Sequence, residues 1–157
     1  MRTARPFTVC LWALSLAAGL WVSGPARADQ LLMARSMQAF PEAMLALQES
    51  LTHHGYTVSR VQRVDIGLKK MGFKTDKYRV VFFGKPKQVD ELASRYPDLI
   101  PYLPLKIAIF AEGDNALLVT SSPLQLASFF HHPELKPVFE QWNHDIQAVL
   151  DDLRTSD

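Results

Sequence analysis

The chain has 157 residues, of which 48% are hydrophobic and 21% charged, with a formal net charge of +1 and a single cysteine. One cysteine excludes an intramolecular disulfide framework, and a near-neutral charge argues against nucleic acid as a partner, since phosphate neutralisation needs a clustered basic surface. No internal repeat or low-complexity segment is visible.

Read in chain order, the first element is an export signal. Arg2 and Arg5 precede an apolar run from Phe7 to Val22, and Ala26-Arg27-Ala28 forms a small-x-small cleavage site ahead of Asp29. The run has sixteen residues, fewer than the roughly 20 that an uncleaved membrane anchor needs. Residues 1–28 are therefore expected to be a signal peptide cleaved after Ala28, with no stable membrane insertion afterwards. Thr3-Ala4 separates the two arginines, so the twin-arginine pattern is absent and the chain is expected to cross unfolded, to a periplasmic or secreted location. Cys10 leaves with the signal. Residues 29–157 remain as one domain with 14 basic against 16 acidic residues, long enough for a self-sufficient core.

Leu31 to Met37 reads as a first strand. Phe40-Pro41-Glu42 opens a helix, with Phe40, Met44, Leu47 and Leu51 on one face and Gly55 as its stop. The stretch from Tyr56 to Val64 is a second strand whose alternation slips near Arg60, which predicts a bulge. Asp65 is read as the N-cap of a short helix through Lys70, ended by Gly72. Tyr78 to Phe83 is a buried strand, and Gly84-Lys85-Pro86-Lys87 turns it into a helix ending near Tyr96.

Pro97, Pro101 and Pro104 forbid a regular helix between Asp98 and Pro104, and that linker is expected to be ordered only through burial of Leu99, Ile100, Tyr102 and Leu103. Leu105–Ala111 and Ala116–Thr120 are strands of a hairpin turned by Glu112-Gly113-Asp114-Asn115. Pro123 starts a short helix. From Pro133 to Leu153, Leu135, Val138, Phe139, Trp142, Ile146, Val149 and Leu153 recur at helical spacing and predict an apolar face that packs on the sheet or on a second subunit.

Between Tyr56 and Pro123, Phe83-Gly84-Lys85-Pro86-Lys87 and Leu103-Pro104-Leu105-Lys106-Ile107-Ala108-Ile109, with the acidic turn at Glu112-Gly113-Asp114 and the closing Ser122-Pro123, resemble the DUF302 family, a domain of unknown function. Lys85 stands where that family often has asparagine, Ser122 replaces an acidic residue, and Leu105 stands where some members carry a cysteine. The resemblance implies an α+β fold, a small β-sheet with helices packed mainly on one face, and a tendency to homodimerise. It supplies no catalytic residues and no thiol chemistry.

Candidate sites are few. Free amides at the start of the helix after Gly84, with Lys85 and Lys87, offer an anion contact, against the simpler reading of a tight turn with solvated lysines. Tyr102 and Trp142 are the aromatic residues singled out for a pocket, because each has a polar handle. His53-His54 is read as a polar helix end and His131-His132 as a loop, since neighbours on a regular helix point about 100° apart and do not chelate together. Convergence of His131, His132 and His144 is the metal alternative. Ser121, Ser122 and Ser128 lack a nucleophile elbow, and Glu112 and Asp114 are placed at a solvent-facing hairpin tip. No catalytic residue, metal or cofactor is expected. The expected role is binding, to a second copy or to a small acidic or apolar ligand, the alternative being a periplasmic accessory enzyme or metal-binding protein.

Overall fold

The computed structural model describes residues 31–155. The signal-peptide reading of residues 1–28 lies outside them. The described residues form one domain around a five-stranded antiparallel sheet, β1 (Leu31–Ser36), β2 (Thr57–Arg63), β3 (Tyr78–Gly84), β4 (Leu105–Glu112) and β5 (Asn115–Ser121), in the order β1-β5-β4-β3-β2. The first strand pairs with the last, from Leu31↔Ser121 to Ser36↔Ala116. Gly113, with φ +61, turns the β4–β5 hairpin, a conformation that costs little only without a Cβ. Register slips between Val58 and Arg60, so the expected bulge is present.

Alternation along the strands divides the sheet into two faces. Ala34, Val81, Phe83, Ile107, Ile109 and Leu118 point to one side and are buried. Helices α1 (Phe40–His53) and α4 (Lys136–Thr155) both cover that side, inserting Phe40, Ala43, Leu47 and Leu51 from one and Ile146, Val149, Leu150 and Leu153 from the other. A fully buried leucine such as Leu47 contributes about 1.5–3 kcal/mol relative to exposure, so this one face holds most of the folding drive. On the opposite face Met33, Tyr78, Val80, Phe82, Ala108, Phe110, Leu117 and Val119 alternate with the core, and none of them is buried. The helices therefore lie on one side, as the α+β reading expects.

Beyond the sheet, α3 (Pro86–Arg95) and a 3-10 helix from Pro97 to Tyr102 pack Leu92 and Leu99 against Leu135, Phe139 and Trp142 in a second, smaller core. The proline-rich linker is thus a 3-10 helix, the tight form that Pro101 permits where an α-helix fails. Its burial is carried by Leu99, at 0% exposure, and partly by Leu103, whereas Ile100 and Tyr102 are 51% and 45% exposed.

Two expectations need correction. Asp65 does not cap the short helix α2 (Val64–Lys70); Arg63 holds the cap position, and Asp65 sits inside the first turn, buried and ion-paired with Arg79. The pairing outweighs capping because Arg79 lies on the core side of β3, over the Phe40 ring, and needs a counter-charge there. Glu112 does not face solvent alone, since Arg35 of β1 donates to it at 2.7 Å. No helix among the described residues is long and apolar enough to cross a membrane.

Candidate functional site

A cleft of about 300 Å³ opens where β3 and β5 end and β4 begins. One wall is the chain from Pro101 to Lys106, which contains a cis Leu103–Pro104 peptide bond. The other is the segment from Thr120 to Phe129. That second wall is fixed by Ser122, whose hydroxyl donates to Asn143 Oδ1 at 2.7 Å and accepts from the Leu124 amide at 3.3 Å, capping the 3-10 helix Pro123–Ser128. Thr120 Oγ1 donates to the Lys106 carbonyl at 2.7 Å and ties the two walls at their base.

The lining joins apolar and polar groups in the manner of small-molecule sites. Phe82, Tyr102, Leu126 and Phe129 supply apolar surface, and Ser121 and Lys106 supply a hydroxyl and a charge. Alternation in β4 sends Lys106 away from the core that Ile107 enters. Lys106 has no ion-pair partner among the described residues, and an unpaired ammonium beside aromatic walls suits an anion with an apolar body.

Lys85 has a different setting. Its ammonium lies 3.1 Å from Asp145 and 4.5 Å from the centre of the Tyr56 ring. Asp145 also accepts from Tyr56 at 2.7 Å and from Gln141 at 2.6 Å. Burial pushes the Asp145 carboxyl up, but the bonds from Tyr56, Lys85 and Gln141 and the Lys85 charge outweigh it and hold the group below its usual range. The Tyr56 phenol is pushed well up, first by burial and then by its bond and proximity to that carboxylate. The protein's own carboxylate thus occupies the place beside Lys85 that an external anion would take.

Of the residues singled out in the sequence, Tyr102 lines the cleft, with an edge-to-face contact to Phe130 at 5.5 Å. Gly84 stands behind it: a Cβ built there would lie 3.9 Å from Pro104 of the cleft wall and 2.9 Å from Val89. Lys87 is exposed in the first turn of α3. Trp142 is only 2% exposed and sits in the second core, its indole N–H donating to Gln88 at 3.0 Å. The sequence does not mark Lys106 or Phe129 as site residues, and it raises Ser121 only as a nucleophile without an elbow. The alternation of β4 was the one available signal, because it placed Lys106 opposite Ile107, but which loop covers that strand end is not written in local spacing.

A protein-family model described as "Domain of unknown function DUF302" matches residues 33–153. The fold is similar to that of a crystal structure described as the uncharacterized conserved protein DUF302 from Bacillus stearothermophilus, with a TM-score of 0.73 and 20% sequence identity over 81% of this chain and 100% of that one. No curated protein matches.

Proposed function

Since the chain belongs to the DUF302 family of domains of unknown function, we propose that it is an exported, non-catalytic binding module whose cleft takes a small organic acid with an apolar body. The observation that carries this reading is Lys106, an ammonium without an ion pair among the described residues, lining a cleft with Phe82, Tyr102 and Phe129. A carboxylate against Lys106 gains a charge-assisted bond, and its apolar portion gains burial against the rings. Export is supported by the Phe7–Val22 run and the Ala26-Arg27-Ala28 site.

The test uses benzoate, phenylacetate and decanoate, each beside its uncharged amide, titrated into the purified protein and followed by NMR. The acids should perturb Tyr102 and Phe129, and Lys106→Met should weaken them about tenfold or more, the size of one charge-assisted bond of about 1.5–3 kcal/mol. Equal binding of acid and amide, or affinity unchanged in Lys106→Met, would reject the reading.

Self-association is a second, compatible reading, favoured by the sheet face that no helix covers among the described residues. Met33, Val119, Ala108 and Val80 stand side by side across four strands there, as do Leu117, Phe110 and Tyr78 across three. A continuous apolar face of this kind is suited to a second copy of the chain.

A further inference from the structure

We propose that His53, His54 and Asp152 form a site for a divalent transition cation of the zinc and copper class, bound through two imidazole nitrogens and one carboxylate oxygen. Their donor atoms all lie within 4.8 Å of one another, and they are the one such group among the described residues. The rule that adjacent histidines diverge holds inside a regular helix. His53 is the last residue of α1 and His54 its C-cap, with its amide still donating to the Ser50 carbonyl, so the long imidazole side chains and not a backbone break bring the rings together. The two rings come to 5.3 Å between centres at an interplanar angle of 67°. Asp152 arrives from α4, a distant part of the chain, so the group is assembled by tertiary packing rather than by sequence spacing.

The carboxylate is aimed. Ser50, a buried serine one helical turn before the histidines, donates to Asp152 Oδ2 at 2.6 Å, and His54 Nε2 lies 3.1 Å from the same oxygen. The bond from Ser50 fixes that carboxylate oxygen beside the His54 ring, on the side where the two imidazoles meet. Zinc-type ions sit about 2.0–2.2 Å from nitrogen and oxygen ligands, which puts neighbouring donors roughly 3–3.5 Å apart. His54 and Asp152 already satisfy that spacing, and the exposed His53 ring completes it by side-chain rotation.

Two imidazoles and a carboxylate are borderline donors, which select zinc or copper(II) over the all-oxygen preference of calcium and magnesium. Three protein ligands leave one position open to water or an incoming ligand, so the ion would be exchangeable rather than structural. The site shares no residue with the cleft.

The experiment is calorimetric titration of chelator-stripped protein lacking any histidine tag, with Zn2+ and separately with Cu2+, while the histidine rings are followed by NMR. One ion per chain, ring shifts at His53 and His54 and a raised Tm are expected. His53→Gln, His54→Gln and Asp152→Asn should each weaken binding about tenfold or more, and the double change of His131 and His132 to Gln should leave it unchanged. Both His→Gln changes lie at the solvent-facing end of α1, so they remain informative even if Asp152→Asn loosens the contact with Ser50. No binding below millimolar ion, ring shifts only at His131, His132 or His144, or equal loss in the His131/His132 variant would overturn the site.

Discussion

Tyr56 stands where three elements meet. Its ring packs edge-on to Phe83 of β3 at 5.3 Å, lies under the Lys85 ammonium, and sends its hydroxyl to Asp145 of α4. A buried hydroxyl bonded to a charged acceptor contributes about 1.5–3 kcal/mol, so Tyr56→Phe should lower stability by that amount in urea unfolding at neutral pH. The penalty has a pH signature. Asp145 has a depressed folded pKa, so its contribution is present above its ordinary value of 3.8 and is lost as pH falls through the folded value. Wild type and Tyr56→Phe should therefore converge in stability below that value; a constant gap across the acid range would mean that the hydroxyl acts through packing, not through the carboxylate. No sequence spacing announced this cluster, because Tyr56 and Lys85 lie in the connections ahead of β2 and α3, Asp145 lies in α4, and the three meet only after the helices settle on the sheet.

The elements themselves were largely legible. The near-continuous apolar runs of β3, β4 and β5, the prolines that open α1 and α3, and the Glu112–Asn115 turn each state a local preference that the packed molecule keeps. Asp65 shows where this fails: an acid ahead of a helical run is a capping signal only until a buried cation needs it more, and Arg79 lies 14 residues away in sequence. Gly84 shows a second kind of failure. Its φ does not lie in the left-handed region, where Gly55, Gly72 and Gly113 lie, so turn geometry does not require the glycine. Space does, because a Cβ there would meet Val89 of α3 at 2.9 Å. Gly84→Ala should cost about 1–3 kcal/mol by overcrowding the β3–α3 junction, and adding Val89→Ala should restore part of it. Thermal unfolding of the single and double variants decides this: no recovery in the double variant would trace the loss to the backbone instead.

At the scale of the whole molecule, α1 and α4 close one sheet face, and among the described residues no helix covers the other. Strands about 4.8 Å apart that rise about 3.3 Å per residue give the open face roughly 20 by 20 Å, on the order of a small subunit interface once side-chain relief is counted. Val119 lies near its middle, between Met33 and Ala108. Light scattering coupled to gel filtration should report a dimer for the wild type and a monomer for Val119→Lys, with unchanged circular dichroism. A monomeric wild type at micromolar concentration, or a dimer that survives the lysine, would remove this face as the contact.

The pairing of β1 with β5 also sets an order of events. A chain threading a membrane pore from its N-terminus would present Leu31–Ser36 long before Asn115–Ser121 emerged, and the contacts between β1 and α4 would come later still. The early part lacks its partner strand until almost the whole polypeptide is through. On the proposed export route, closure of the sheet would wait for release of the C-terminal third, and a chain in transit would have no complete native structure in which to become trapped.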